Sequence, residues 1–351
     1  VNSEETYSFL EPIMNWLHLW RMPLLFLVSG VGTYYAIGKR TTRQYLKERF
    51  TRLYIPFAIG FFTLVPIMVY IERIENYDSF IQYIPHMFDG GPYPVGNISW
   101  HHLWFILYLF LISLFISPFL RFTKTAQYKR VRVRIISAVS KRLGLNWILI
   151  PIILSQAILR QYFPDSTHAL YNDWAYFVYY VIFFISGFML FTSDRLIKAL
   201  SDQRRWYLLQ TLIFTFIMFS FWIIDYNTSI DEELYSITKM TLGWSCGLTA
   251  IGYFKRYFNY NNKSRKILNE AIYPFYLLHQ PALVLVGYIV LQWEVSTELK
   301  VVLITMLSLT LCFVCYWFVI KRINVLRLAF GMRWIKRKKE QEVVNEMVPA
   351  E

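Results

Sequence analysis

The chain has 351 residues, and 36 Lys and Arg against 23 Asp and Glu give a formal net charge of +13. Hydrophobic residues make up 56% of it and charged residues only 17%, against roughly 45–50% and 25% in soluble domains. That balance excludes an ordinary soluble enzyme. The three cysteines (Cys246, Cys312 and Cys315) all lie inside apolar runs, so neither a disulfide framework nor a zinc cluster is readable. The sequence begins at Val1 with no basic stretch before an apolar one, so no signal peptide is read and a missing start is expected.

Nine apolar runs approach the roughly 20 residues that cross a bilayer as a helix. In chain order they are Leu17–Ile37, Leu53–Ile71, Leu103–Leu120, Leu143–Leu159, Trp174–Phe191, Trp206–Ile224, Tyr235–Phe254, Ala271–Trp293 and Val301–Ile320. The runs are continuous rather than alternating, which predicts helices and not barrel strands. The expectation is an all-α, polytopic transmembrane helical bundle over residues 1–320, followed by a basic tail over 321–351. The end of that tail, Arg337–Glu351, is polar and is expected to be disordered.

The basic residues alternate strictly between the connections. Counted loop by loop, 31 of the 36 fall on one side, leaving Arg21, Arg73, Arg160, Lys239 and Lys300 on the other. By the positive-inside rule the 31-residue side is cytoplasmic, the C-terminus included. The surplus charge is therefore an orientation signal, and nucleic acid is not an expected partner. An odd number of spans puts the start outside, and one further N-terminal helix would make ten.

His279 lies eight residues into the eighth span, roughly 12 Å deep at 1.5 Å per residue. An ionisable group there needs a cavity or a partner. Pro274 and Pro281 flank it, which predicts an irregular helix whose freed carbonyls could line a cavity. A neutral imidazole bonded to a neighbouring helix fits equally well. On the outer side, span one opens with His18-Leu19-Trp20-Arg21-Met22-Pro23 and span three with Trp100-His101-His102-Leu103-Trp104. Such residues are ordinary at a headgroup boundary. Beside a catalytic cavity, His101 and His102 would suit general-base work. Arg21 fits either an oxyanion partner or snorkelling. On the inner side, Arg49 and Arg52 are three apart and would share a helix face, placed to clamp phosphates or simply to anchor the helix.

Three patterns carry less. Gly243-Trp244-Ser245-Cys246-Gly247 fits a nucleophile elbow but sits inside an apolar run, where a small-residue packing face is expected. Cys312 and Cys315 have redox spacing in mid-span and are expected to pack. The sequons at Asn97 and Asn227 would matter only in a host that glycosylates.

Taken in order, five segments resemble the membrane acyltransferase-3 family, and within it the glucan-biosynthesis protein C-like branch. They are Arg21-Met22-Pro23-Leu24-Leu25-Phe26-Leu27-Val28-Ser29-Gly30; Arg49-x-x-Arg52-Leu53-x-x-Pro56; His101-His102-Leu103-Trp104-Phe105; Asn172-Asp173-Trp174 with Phe184-Ile185-Ser186-Gly187-Phe188; and Ile272 through Pro281. The resemblance implies an enzyme of the bacterial cytoplasmic (inner) membrane with ten spans. It would move an acetyl or succinyl group from cytoplasmic acyl-CoA, a co-substrate rather than a bound cofactor, to a hydroxyl of an extracytoplasmic glycan. No metal is implied. Arg49 and Arg52, with Arg43 of the same basic segment, would hold the CoA phosphates. His279, His102 and His101 become the catalytic candidates, and His18, Arg21 and Trp104 would line the acceptor site. The family's first span carries an Arg followed eleven positions later by a histidine taken as the base. Val1–Trp16 contains neither, so the resemblance implies a missing first helix and no activity for this stretch by itself.

Two rival readings remain open. A secondary transporter would also use nine or ten spans, although the Pro-flanked eighth span has no evident twin and intramembrane carboxylates are lacking. A membrane scaffold without chemistry is the other.

Overall fold

The structure, a computed structural model, describes residues 11–38, 40–123, 125–164, 166–223, 232–258, 260 and 262–335. The expected disorder of Arg337–Glu351 and the sequon at Asn227 lie outside the described residues. Among those residues the chain is helical, with one isolated bridge between Pro92 and Ile98 and no strand. In chain order the helices are α1 (Glu11–Ile37), α2 (Thr42–Arg49), α3 (Ile55–Glu72), α4 (Phe80–Tyr83), α5 (Trp104–Phe115), α6 (Ser117–Phe122), α7 (Ala126–Val139), α8 (Leu149–Leu159), α9 (Trp174–Leu190), α10 (Asp194–Ile223), α11 (Glu232–Tyr257), α12 (Lys263–Val290), α13 (Thr297–Val314) and α14 (Asn324–Ala329).

Several helices begin where the sequence supplies a side-chain cap for an otherwise orphaned amide. Thr125 accepts from Tyr128 N, Asp173 from Tyr176 N, Asn262 from Arg265 N and Ser296 from Leu299 N.

Among the described residues, four helices are long and apolar enough to cross a membrane: Thr42–Glu72, Asp194–Ile223, Arg265–Val290 and Thr297–Ile320. The nine spans expected from the apolar runs are thus only partly reproduced. Span four is the second arm of a broken element, its Gly144–Leu159 segment meeting α7 at 119°. Spans three and five are shorter apolar helices, His101–Phe115 and Trp174–Leu190. α1 and α11 have the length, but polar residues such as His18, Arg21, Thr238, Lys239 and Thr241 dilute them.

The chain divides into two compact units. The first is built from Glu48–Phe110 and the segment from Asn262 onward; the second comprises the segment ending at Lys47 together with Leu111–Asn261.

In the first unit, α3, α12 and α13 pack with the turn His101–Leu103. Leu103 is fully buried, and its Cδ1 lies 3.0 Å from where a Cβ at Gly60 would be. Ala271, Tyr316, Ile320 and Met332 form an apolar cluster joined by Phe275 and Leu278. The segment after α13 is anchored by buried Arg327. That residue pairs with Glu270 of α12 at 2.8 Å and donates to the carbonyls of Lys321 and Arg333. The loop after α3 is clamped by Arg73, whose Nη2 donates to Pro94 O at 2.6 Å and Gly96 O at 2.8 Å. Asn97 is buried there, its amide donating to His86 O, so this sequon is closed to glycosylation in the folded loop.

In the second unit, α1, α9 and α11 run side by side in the same direction. Glycine permits this. A Cβ at Gly187 would stand 1.8 Å from Leu27 O, one at Gly30 1.9 Å from Phe184 O, and one at Gly243 2.9 Å from the Tyr179 hydroxyl. Where lipid already satisfies apolar surface, such backbone proximity is the main source of helix association. Gly243 is therefore part of a packing face, and Ser245 donates to Thr241 O rather than standing as a nucleophile. α10 lies antiparallel against α11, linked by Thr211 and Thr249 at 3.1 Å.

Candidate active site

The site of the first unit is organised by a proline. α12 runs without a break through both Pro274 and Pro281, so the irregular helix expected around His279 is not observed. Pro281 has no N–H, and the carbonyl four residues earlier, that of Leu277, consequently lacks its helical donor. His102 supplies one, its Nε2 lying 3.1 Å from Leu277 O. A carbonyl oxygen only accepts, so Nε2 carries the proton and Nδ1 is left as the basic nitrogen. Nδ1 is buried and has no hydrogen-bond partner among the described residues.

Tyr276 ties the same corner together, its hydroxyl donating to the His102 carbonyl. His279 follows one turn later. Its Nδ1 donates to Tyr276 O at 2.5 Å, which makes Nε2 its basic nitrogen. The His102 and His279 rings meet edge to face with centroids 5.1 Å apart. Two of the three catalytic candidates are thus brought together.

His101 goes elsewhere. Its φ of 38° is uncommon for a residue with a Cβ, and its ring packs at 5.2 Å against Tyr93. Trp104 heads α5 with its ring edge-on to Tyr108 at 5.3 Å.

The arginine pair sits on an unusual turn. Phe50–Tyr54 is π-helical, with Ile55 N bonded to Phe50 O. Bonding five residues apart inserts an extra residue into the turn, so the α-helical phase that would put Arg49 and Arg52 on one face is not kept. Arg52 reaches Glu48 at 3.4 Å, while Arg49 acts electrostatically on the buried hydroxyl of Tyr273. Gly331, at φ +67°, closes on the same place: a Cβ there would lie 2.4 Å from the Tyr273 ring and 2.9 Å from Arg52 O. Arg43 is exposed on α2 in the second unit.

The second unit holds the other acceptor candidates. Arg21 Nη2 lies 3.3 Å from His18 Nδ1. It also holds a cluster that the sequence reading missed. His168, in the loop before α9, stacks on Tyr176 at 4.8 Å and meets the Tyr180 hydroxyl at 3.1 Å. Burial, then the nearby Lys239 and Arg160, push its pKa down to about 4, so it is neutral at neutral pH. The signal that would have found it is the scarcity of basic residues away from the basic loops: each of the five invites the question of what holds it.

Among the described residues no group of His, Cys, Asp and Glu could hold a metal ion.

With this geometry in hand, the class of protein follows from comparison. Residues 3–317 match the acyltransferase-3 family, described as an acyltransferase domain, and the chain belongs to that family of transferases. Among curated proteins it is similar to the glucans biosynthesis protein C of Salmonella paratyphi B, Salmonella dublin and Salmonella enteritidis. Each is 27% identical over 206 residues, covering 54% of this chain and 50% of the relative. The chain thus spans about half the length of the curated relatives it matches. No solved structure matches it.

Proposed function

We propose that this chain is the core of a multi-pass membrane O-acyltransferase. It takes an acetyl or succinyl group from cytoplasmic acyl-CoA and delivers it to a hydroxyl of an extracytoplasmic glycan. Family membership supports the reaction class, and the relatives' name, glucans biosynthesis, supports a glycan acceptor. The observation that carries the site assignment is the Pro281-freed carbonyl of Leu277, which fixes the His102 tautomer and leaves a buried lone pair on Nδ1.

In the proposed reaction His102 accepts the acceptor's hydroxyl proton, with His279 beside it. The oxygen attacks the thioester carbonyl, the C–S bond breaks, and the CoA thiolate leaves and takes a proton. A positioned general base of this kind contributes about 10²–10⁴-fold. Arg49 and Arg52 are assigned to the CoA phosphates. His18 and Arg21 are assigned to the acceptor. The distribution of basic residues supports a cytoplasmic C-terminus, and the family resemblance supports the inner membrane.

The test is release of free CoA from acetyl- and succinyl-CoA by inside-out vesicles containing the full-length protein and enclosing a glycan acceptor. Protein-dependent release that weakens about tenfold in donor KM for Arg52→Ala is expected, the loss of one charge-assisted contact. No release with either donor would overturn the reading, in favour of the transporter alternative.

A further inference from the structure

In the first unit, residues 321–335 fold into a closed cap. Asn324 bonds Ile335 in both directions, donating to its carbonyl at 3.1 Å and accepting from its N–H at 2.9 Å. Inside this loop the buried Arg327 guanidinium donates to the carbonyls of Arg333 at 2.8 Å and Lys321 at 3.1 Å, and it pairs with Glu270 of α12. Met332 joins the apolar cluster of Ala271, Tyr316 and Ile320. Ordering a segment this fully costs conformational entropy that merely leaving a bilayer does not require.

The tip of the cap is Gly331, and what it touches is the turn that carries Arg52. Its φ of +67° suits glycine, and a Cβ there would stand 2.4 Å from the Tyr273 ring and 2.9 Å from Arg52 O. That carbonyl is the weak point of the turn. Pro56 has no N–H, so Arg52 O is denied the α-helical donor four residues on. The chain answers with the π-helical turn Phe50–Tyr54, in which Ile55 N bonds Phe50 O. Such turns are rare and are found mostly at functional sites. Gly331 and the Tyr273 ring brace it from the cap side, and Arg52 projects from it to reach Glu48 at 3.4 Å.

We infer that the cap positions Arg52 for the phosphates of the acyl donor, with Gly331 seating the π turn and the Arg327–Glu270 pair holding Gly331 in place. The phosphate role of Arg52 rests on the acyltransferase reading. Gly331 and Arg327 act through Arg52 and are positioning residues.

The experiment titrates CoA, which carries the donor's phosphates, into the full-length protein in nanodiscs of zwitterionic lipid. Gly331→Asn supplies a residue that tolerates a left-handed backbone but sets side-chain atoms against Tyr273 and Arg52. It is expected to weaken CoA binding about tenfold, as Arg52→Ala does, the size of one charge-assisted contact. Combining the two variants shows by what route. A cap that acts through Arg52 leaves the double variant no weaker than Arg52→Ala alone, whereas independent contributions would multiply to about a hundredfold. A merely structural cap would lower the unfolding temperature and leave the CoA affinity of the folded protein unchanged. Should Gly331→Asn fail to fold, Arg327→Lys, alone and with Arg52→Ala, tests the same point. It keeps a charge opposite Glu270 and loses the fork that holds two carbonyls. Wild-type affinity in the folded variant, or multiplied losses in the double variant, would overturn the inference and leave the acyltransferase reading standing. Absence of CoA binding by the wild type would overturn the donor assignment, and the inference with it.

Discussion

The two histidine sites set the same side chain in opposite surroundings. His102, in the first unit, donates from Nε2 to a backbone carbonyl and keeps its other nitrogen buried without a partner. His168, in the second, is stacked on one tyrosine, bonded to another, and held neutral by burial first and then by the nearby Lys239 and Arg160. A base needs an orienting bond on one nitrogen and an open lone pair on the other. A ring packed on one tyrosine and bonded to another needs only to stay uncharged and in place. The difference lies in what surrounds the imidazole, and no count of histidines would reveal it.

The largest expected effect separates the two sites by kinetics. His102→Ala should lower turnover by about 10²–10⁴-fold, the worth of a positioned general base. His168→Ala should instead leave kcat unchanged and lower stability, because its ring packs on Tyr176 and bonds Tyr180. Steady-state assays of the full-length enzyme with both variants check this, and equal kcat losses would erase the distinction.

The next effect concerns the frameworks beneath the sites. At Gly187 an added methyl would meet the backbone oxygen of Leu27 at 1.8 Å, whereas at Gly60 it would meet the flexible end of Leu103 at 3.0 Å. Overpacking against backbone has no cheap escape, so Gly187→Ala should cost about 1–3 kcal/mol or more and Gly60→Ala under about 1 kcal/mol. Thermal unfolding of both variants in one detergent decides it. A milder loss at Gly187 would mean that α1 and α9 can separate.

A smaller effect tests the proline. Pro281→Ala restores an N–H that can bond Leu277 O within the helix, in competition with His102. With the imidazole no longer held, kcat should fall about tenfold at unchanged donor KM, roughly one net hydrogen bond. Unchanged kcat would show that His102 needs no such anchor.

Much of this was legible beforehand, and the reasons for the rest are physical. Continuous apolar runs located the helices because length and hydropathy are local properties. The Gly243–Gly247 face was readable as packing because an apolar run allows a nucleophile elbow no strand before it. Pro274 and Pro281 make the freed carbonyls legible but not their consequence: they predict an irregular helix, and an uninterrupted one with a new partner is found. That partner, His102, lies 175 residues from Leu277, a separation at which sequence carries no signal of pairing. The π turn at Phe50–Tyr54 was invisible because it depends on hydrogen-bond register, and it undid the shared face assumed for Arg49 and Arg52. The His168 cluster draws on four separate elements, so only the count of stray cations pointed towards it.

The smallest effect is one of pH. His168 has its pKa lowered from 6.5 to about 4 in the folded protein, by burial first and then by Lys239 and Arg160. Between those values the unfolded chain binds a proton that the folded chain refuses, so stability falls as pH drops from 6.5 towards 4 and is unaffected above that window. His168→Asn removes the titration while suiting the left-handed backbone at φ 53°, a conformation in which asparagine is enriched. The variant leaves the backbone N–H that Asp173 accepts, so that bond is the same in both proteins. The Tm of the wild type should therefore fall more steeply than that of His168→Asn across pH 6.5 to 4, with the two curves parallel at higher pH. Parallel curves throughout would mean that His168 accepts its proton in place, and the contrast with His102 would then rest on kinetics alone.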